Sequence, residues 1–186
     1  MKRLIYLFAG VMAAGTCLTS CLDSDDPYKS EKDWREHNDA WLAAKEAETD
    51  AQGHHVYERI GCDWDINGYV LMKWHNDRTL TQKELSPISS STVDVKYEMQ
   101  NVDSLMIDNS YSRTSPADSI YRTRLNKTIS GWVIGLTQMH VGDSVTMIVP
   151  YSQGYGNAAY NSVRAYSNLV YHIKLTGIPG YQTEVK

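Results

Sequence analysis

The sequence predicts an α+β fold in which strands predominate and one short helix crosses them. Two segments, Thr92–Met99 and Leu169–Ile178, alternate apolar and polar residues, which is typical of half-buried antiparallel strands. Between them, apolar residues recur at helical spacing from Ile129 to Met139. No internal repeat is visible, and a chain of 186 residues with 42% hydrophobic and 22% charged residues fits one domain with appendages.

The first twenty residues have the features of a signal peptide. Lys2 and Arg3 precede a mostly apolar run, Leu4–Leu18, which is too short for an ordinary membrane span. The stretch LTSC, which ends at Cys21, resembles the bacterial lipobox, and the resemblance implies cleavage before Cys21 and acylation of that residue. We therefore expect residues 1–20 to be removed and the mature chain to be lipid-anchored in the bacterial cell envelope, at the periplasmic or surface face of the outer membrane. The alternative is a plain secretory signal with a chance cysteine.

Residues 21–53 are predicted to form an acidic tether followed by a short helix. The tether is polar and contains a proline, so it is either a solvated spacer or a signal for display on the cell surface. From Trp34 to Glu48 the sequence is rich in helix formers, and Trp34 and Trp41 fall on roughly one face. This face indicates that the helix docks on its own domain or on a partner. The main domain is expected over residues 54–180.

The elements of the main domain are predicted from alternation, apolar runs and turn residues. The four expected strands are Gly68–His75, Thr92–Met99, Ser144–Pro150 and Leu169–Ile178. In the last of them, the residues on the apolar face are Leu169, Tyr171, Ile173 and Leu175. Thr128 or Ser130 can cap the helix, and Gly142 suits a left-handed turn after it.

Composition and motifs argue against several classes of function. No cluster of Lys and Arg accompanies the net charge of −4, so nucleic-acid binding has no support. The six histidines are scattered, without an H-E-x-x-H or C-x-x-C motif, and neither G-x-S-x-G nor a phosphate loop occurs. With Cys17 in the signal peptide and Cys21 acylated, Cys62 has no intrachain disulfide partner. We therefore expect no metal, no cofactor and no disulfide.

One ordered series of motifs is more specific. The strand with Tyr97 is followed by MIDNSYSR, by TISGWVIGLTQMHVGDSVTMIVP, by a GYG loop and by the last strand. In this order the series resembles the macrolide-binding (FKBP) family of peptidyl-prolyl cis-trans isomerases over about Thr92–Ile178, and the block from Ile129 to Gly156 matches best. The resemblance implies a bent antiparallel sheet wrapped around the one short helix. The N-terminal helix would be an addition to this fold.

The resemblance also implies roles for nine residues. The catalytic residues would be Tyr97, Asp108, Trp132 and Tyr155. The substrate-binding residues would be Ile107, Arg113, Ile129, Val163 and Tyr171. Trp132 would form the floor under the substrate's proline ring, while the Ile129 N–H and the Tyr155 hydroxyl would bind substrate carbonyls. Arg113 could pair with Asp108.

Some positions depart from the family's pattern. Phe8 lies in the signal peptide, so the mature chain has no phenylalanine, whereas the family usually lines its pocket with several. Ile107 stands where an aromatic residue is typical, and the aromatic expected between residues 116 and 125 has two candidates, Tyr121 and Ile120. The residues 163–165 read VRA in place of the usual Ile-Pro-Pro. The scaffold is therefore kept while the pocket wall is altered.

Three functions stay open at this point. The first is prolyl isomerisation or chaperoning of exported or surface proteins, which needs proline-containing substrates and no cofactor. The second is a binding module that holds a proline-containing peptide or a hydrophobic ligand without useful catalysis. The third is an accessory subunit of an envelope complex, docked through Trp34 and Trp41. Two residues also have simpler alternatives: Trp132 as an ordinary core residue, and Asp108 as a residue that only caps a turn.

Overall fold

The computed structural model describes residues 27–180, which contain two helices and seven strands. The predicted signal peptide and Cys21 lie outside the described residues. In chain order the elements are α1 (Pro27–Ala47), β1 (Glu58–Cys62), β2 (Asp65–Trp74), β3 (Thr92–Gln100), β4 (Met106–Asn109), β5 (Tyr121–Arg124), α2 (Ser130–Leu136), β6 (Ser144–Val149) and β7 (Leu169–Gly177). Neither helix of this range combines the length and apolar character that crossing a bilayer requires.

The seven strands form one antiparallel sheet, ordered β1-β2-β6-β7-β3-β4. β4 pairs with the C-terminal part of β3 and β5 pairs with its N-terminal part, so the two share one edge of that strand. α2 packs against β1, β2 and β6. The predicted α+β class, an antiparallel sheet around one short helix with a further N-terminal helix, is confirmed.

The core lies between α2 and the sheet, where the alternating strands place their apolar residues. β3 buries Val93, Val95, Tyr97 and Met99, and β7 buries Leu169, Tyr171, Ile173 and Leu175, as their alternation predicts. Trp132 and Leu136 of α2 join the same cluster. Each large apolar side chain buried here stabilises the fold by roughly 1.5–3 kcal/mol. The core therefore fixes the position of α2, and with it the position of Trp132.

β6 differs from the half-buried strand that its alternation predicts. Met147 and Val149 face the core under α2, but Ile148, which points the other way, is also fully buried. Leu71 of β2 lies opposite Ile148 in register and is buried outside the same cluster. A central strand that is covered on both faces loses the polar alternation of an open sheet.

α1 docks on its own domain, which was one of the two expectations for this helix. It starts earlier than predicted, at Pro27 rather than Trp34, and ends at Ala47. The Trp34 indole is half-buried and its Nε1 donates a hydrogen bond to Ser167 Oγ at 3.1 Å. One turn later, Asn38 is fully buried against the segment just before β7. Trp34 therefore makes its contact within the chain.

The short elements and the helix cap were not predicted correctly. The sequence does not predict strands β1, β4 and β5, because each has only four or five residues, too few for a reliable pattern. α2 covers seven residues rather than eleven, and its N-cap is Ile129, whose side chain makes no capping hydrogen bond. The Thr128 hydroxyl donates instead to the Leu125 carbonyl at 2.6 Å. Gly142 has a φ of +101°, the left-handed turn that was expected.

Candidate functional site

An open cavity of about 670 Å³ lies where α2, the β3–β4 edge, β7 and the segment after β6 meet. All nine residues proposed from the sequence as catalytic or substrate-binding line it. They are Tyr97, Ile107, Asp108, Arg113, Ile129, Trp132, Tyr155, Val163 and Tyr171. The structure thus brings together residues that span 75 positions of the chain, and the roles assigned to them stay predictions.

Trp132 forms the floor of the cavity. Its side chain is only 4% exposed, yet it lines the cavity. Three tyrosine rings meet the indole edge-on, with centroid distances of 5.4 Å for Tyr97, 5.5 Å for Tyr171 and 6.1 Å for Tyr121. Edge-to-face contacts of this kind are favourable because the positive edge of one ring meets the negative face of another. The indole is therefore held in one orientation beneath the opening.

Tyr97 and Asp108 form one wall. The Tyr97 hydroxyl donates a hydrogen bond to Asp108 Oδ2 at 2.5 Å, and the Asn109 N–H donates to Asp108 Oδ1 at 2.8 Å. β3–β4 pairing produces this contact, because Asp108 lies opposite Met99, two residues from Tyr97. Burial and then the hydrogen bond to Asp108 hold the pKa of Tyr97 well above its usual range. Tyr97 is thus a protonated donor at neutral pH.

Arg113 does not pair with Asp108 as expected. No ion pair joins the two residues within the described chain; instead the guanidinium lies over the Tyr121 ring, 4.5 Å from its centroid. The Asp108 carboxylate is already engaged by Tyr97 and Asn109, and a guanidinium is well suited to stacking on an aromatic face. Arg113 Nε is buried and, among residues 27–180, has no hydrogen-bond partner. Arg113 therefore shapes the rim through Tyr121.

The opposite side of the cavity offers two free donors. Within the described chain, neither the Tyr155 hydroxyl nor the Ile129 N–H donates a hydrogen bond. The Tyr155 ring is half-buried and stacks parallel on Tyr160, with centroids 4.6 Å apart and planes 8° apart. Burial, followed by the neighbouring Tyr160, raises the pKa of Tyr155, so its hydroxyl keeps its proton at neutral pH. Both groups can donate to a carbonyl oxygen.

Ile107, Val163 and Tyr171 complete the apolar lining. Ile107 is half-buried, whereas Val163 and Tyr171 are buried. Burial raises the pKa of Tyr171 well above its ordinary value. The lining residues that were not proposed as site residues are Met99, Tyr121, Lys127, Thr128, Tyr160, Asn161 and Ser162. The sequence offers Tyr121 as one of two candidates for the aromatic position between residues 116 and 125. Tyr160 to Ser162 belong to an irregular segment, and no pattern in its sequence predicts that these residues reach the cavity.

The chemical groups of the cavity lining suit hydrogen bonding and apolar contact. Its described lining has aromatic faces, O–H and N–H donors, two cationic side chains (Arg113 and Lys127) and one carboxylate that already accepts two hydrogen bonds. The Tyr97 hydroxyl is hydrogen-bonded to the Asp108 carboxylate there, and burial together with this bond keeps the hydroxyl protonated by raising its pKa. The donors could hold a peptide by two of its carbonyl oxygens while an apolar ring of that peptide lies on the indole.

Comparison with known sequences assigns the family. The sequence model of the FKBP-type peptidyl-prolyl cis-trans isomerase matches residues 84–176, half of the chain. Similar proteins include the FKBP-type peptidyl-prolyl cis-trans isomerase FkpA of Escherichia coli strain K12, 31% identical over 93 residues, which are 50% of this chain and 33% of FkpA. FK506-binding protein 2 of Aspergillus oryzae is 30% identical over 95 residues, 50% of this chain and 69% of that protein. The chain thus spans about a third of the length of FkpA.

Solved structures agree on the fold. The crystal structure of FkpA from Escherichia coli superposes with a TM-score of 0.63 at 21% identity, covering 81% of this chain and 63% of that one. A peptidyl-prolyl cis-trans isomerase from Pseudomonas syringae pv. tomato superposes with a TM-score of 0.58 at 22% identity, covering 83% of this chain and 98% of that one. The chain with this tyrosine-lined cavity belongs to the family of FKBP-type peptidyl-prolyl cis-trans isomerases.

Proposed function

We propose that this domain catalyses the cis–trans isomerisation of X–Pro bonds in peptides and proteins. The observation that carries the proposal is a cavity whose lining combines the Trp132 indole with two donors, the Tyr155 hydroxyl and the Ile129 N–H, which have no hydrogen-bond acceptor among residues 27–180. Family membership supports it. The reaction makes and breaks no bond to the substrate, so neither a nucleophile nor a cofactor is required.

The physical basis is the resonance of the amide group. Rotation about an X–Pro bond has a barrier of roughly 18–20 kcal/mol and takes tens to hundreds of seconds unaided. The planar amide has a strongly polar carbonyl that water stabilises, whereas a bond twisted by about 90° has lost the resonance and much of that polarity. A cavity with little water therefore favours the twisted amide relative to the planar one. Each difference of ~1.4 kcal/mol changes the rate tenfold.

The cavity residues take distinct roles in this proposal. The proline ring lies on the Trp132 indole, and the rings of Tyr97 and Tyr171 enclose it. The Ile129 N–H and the Tyr155 hydroxyl donate to carbonyls on either side of the rotating bond and hold the flanking peptide still. Asp108 fixes the Tyr97 hydroxyl and keeps that wall in place.

A protease-coupled assay with a Leu-Pro tetrapeptide tests the proposal. The mature chain should accelerate isomerisation, and Tyr155→Phe should lower kcat/KM about three- to tenfold, because one hydrogen bond contributes about 0.5–1.5 kcal/mol. Tyr111→Phe is the matched control, since Tyr111 is exposed and outside the cavity. Equal activity of the two variants would remove Tyr155 from the mechanism, and an inactive wild-type chain would end the proposal.

A binding module is the second candidate, and one observation favours it. The lining carries several tyrosines with their hydroxyl groups, together with Lys127, Asn161 and Ser162. These groups keep water nearby and would weaken the desolvation on which catalysis depends. Such a cavity would hold a proline-containing peptide without rate enhancement. Binding of the tetrapeptide in the absence of any acceleration would select this candidate.

The proposed setting is the bacterial cell envelope, with Cys21 as the lipid attachment site. Support comes from the basic start, the apolar run and the LTSC stretch of the sequence. Radiolabelled palmitate should be incorporated into the chain expressed in a bacterial host, and a globomycin-type inhibitor should leave a heavier precursor. Cys21→Ser should abolish the label, with Cys62→Ser as the control that keeps it. Labelling that survives Cys21→Ser would contradict the assignment.

A further inference from the structure

The segment that joins β6 to β7 lies between the cavity and α1. We call residues 151–168 the pocket loop. Its first part carries Tyr155, and its middle part carries Tyr160 and Val163, all of which line the cavity. Its last residues contact α1 instead. One loop therefore connects the candidate site to a helix that contributes no residue to the lining.

The central contact joins two asparagines. Asn38 of α1 and Asn168 of the pocket loop are both fully buried. The Asn168 N–H donates to Asn38 Oδ1 at 2.8 Å, and Asn168 Nδ2 donates to the Asn38 carbonyl at 2.7 Å. Asn168 Oδ1 accepts from the Tyr151 N–H at 2.9 Å, and Asn38 Nδ2 donates to the Trp34 carbonyl at 2.9 Å. The pair thus ties both ends of the pocket loop to α1. Because both side chains are buried, loss of either one would leave a buried polar group without its hydrogen bond.

Tyr166 provides a second tie to α1. Its φ of +59° is disfavoured for a residue with a side chain, so its surroundings must hold it there. The Arg35 guanidinium lies 4.9 Å above its ring, and the Tyr151 ring meets it edge-on at 5.4 Å. The Tyr166 N–H donates to the Gly156 carbonyl at 2.9 Å, one residue after Tyr155. Contacts from α1 therefore reach the backbone beside the cavity.

Three further contacts lie next to these. Trp34 Nε1 donates to Ser167 Oγ at 3.1 Å, and the Arg164 guanidinium lies 4.8 Å from the centre of the Trp34 ring. The Arg164 guanidinium also donates to the Ser30 carbonyl at 3.3 Å. Val163 is the last residue of the pocket loop that lines the cavity, and Arg164, the next residue, contacts α1. Four of the last five residues of the pocket loop thus contact α1.

We infer that α1 is a strut for the substrate pocket, with Asn38 as the positioning residue that holds the pocket loop in its binding arrangement. The inference extends the proposed function, because the loop it fixes is the wall that carries Tyr155. Docking of α1 and occupation of the pocket are then linked, and the linkage is reciprocal: each stabilises the other by the same free energy. α1 acts on the substrate only through the loop.

Hydrogen exchange of the full mature chain without ligand tests the strut by itself. Asn38→Ala should accelerate exchange in residues 151–168 about tenfold, the effect of one lost buried hydrogen bond, with exchange in β3 and β7 unchanged. Glu36→Ala is the matched control on the exposed side of α1 and should leave exchange in the loop unchanged. Trp34→Phe removes the donor to Ser167 and gives Arg164 a smaller ring to stack on; it should accelerate exchange in the loop by at least about threefold, which keeps the test available if Asn38→Ala fails to fold. Loop exchange that matches wild type in the folded variants would overturn the inference.

The reciprocal effect separates positioning from simple helix packing. A Leu-Pro tetrapeptide at about ten times its Kd should slow exchange within α1 by up to about tenfold in the wild-type chain and by clearly less in Asn38→Ala, which keeps only the other contacts to the loop. Slower exchange in the pocket loop with no change in α1 would contradict the linkage. If the tetrapeptide does not bind, the proposed function fails, while the ligand-free comparison of Asn38→Ala with Glu36→Ala still decides on the strut.

Discussion

At the residue scale, tyrosines line much of this pocket, and the surroundings of three of them keep their hydroxyl groups protonated. Burial is the largest cause in each case, and it raises the pKa of Tyr97, Tyr155 and Tyr171. Tyr97 donates to Asp108, whereas the Tyr155 hydroxyl has no partner within residues 27–180. The same residue type therefore braces the cavity wall at position 97 and leaves a hydroxyl without a partner in the described chain at position 155.

Asp108→Ala should lower kcat/KM for a prolyl peptide about tenfold. The substitution removes the acceptor of the Tyr97 hydroxyl and lets that ring move, and a hydrogen bond to a charged group contributes roughly 1.5–3 kcal/mol before solvent screening. Asp108 is exposed, so the free energy of unfolding should change by only about 1 kcal/mol. Steady-state kinetics and urea denaturation of the same preparations measure the two effects. Full activity of the variant would remove Asp108 from the mechanism.

Asp143 is the buried carboxylate whose ionisation supports the turn before β6. Burial raises its pKa, but the His140 N–H, the Thr81 hydroxyl and Asn76 all donate to it and Arg78 lies nearby, so the net pKa is lowered. A lowered folded pKa means that ionised Asp143 stabilises the fold fully above about pH 4, and that this stabilisation is lost as the pH falls through the folded pKa.

Asp143→Asn should therefore destabilise the chain at pH 7 by about 1–3 kcal/mol, because the new amide cannot accept all of these hydrogen bonds. The difference from wild type should shrink as the pH falls below about 4 and Asp143 takes up its proton. Urea denaturation across this range measures it, with Asp118→Asn as a control at an exposed position. A difference that stays constant until the chain unfolds in acid would show that the carboxylate is not the stabilising group.

At the element scale, α2 approaches β6 closely enough to exclude a β-carbon. A Cβ placed on Gly131 would lie 2.4 Å from Val149 Cγ1, and one on Gly135 would lie 2.2 Å from Met147 Sδ. Val149 is β-branched and stiff, whereas the Met147 side chain can move aside. The close approach places Trp132, which follows Gly131 directly, at the base of the cavity.

Gly131→Ala should lower the free energy of unfolding by about 1–3 kcal/mol, although alanine is the better helix former. The same displacement of α2 should lower prolyl isomerase activity, because Trp132 moves with the helix. Ser130→Ala, at an exposed position one residue earlier, should leave both quantities nearly unchanged. Thermal or urea denaturation and the peptide assay measure the two effects, and a Gly131→Ala variant as stable as wild type would contradict the packing described here.

The elements differ in how far the sequence predicts them. Long alternating strands such as β3 and β7 were placed correctly because one face of each is buried and the other is not. β6 looked half-buried but is covered on both faces, which local sequence does not encode. The short strands β4 and β5 exist because β3 offers an open edge, and the cap at Ile129 follows from tertiary packing rather than from a capping side chain.

At the scale of the whole molecule, the sequence predicts the site better than its surroundings. The nine proposed residues share one cavity because the ordered motif series fixes the positions of α2, β3 and β7. The sequence did not predict that Arg113 would stack on Tyr121, because a side chain's partner depends on the loop that carries it. It also did not predict the attachment of α1 to Asn168, since residues 130 positions apart meet only in the folded chain.

Exchange NMR on a proline-containing peptide tests the central claim most directly, because it measures rotation of the X–Pro bond without a coupled protease. With the mature chain at about a hundredth of the peptide concentration, cross-peaks between the cis and trans signals should appear within about a second of mixing, although the unaided reaction takes tens of seconds or more. Asp108→Ala should weaken them. Peptide signals that shift on binding while the cis and trans forms fail to exchange would contradict the account.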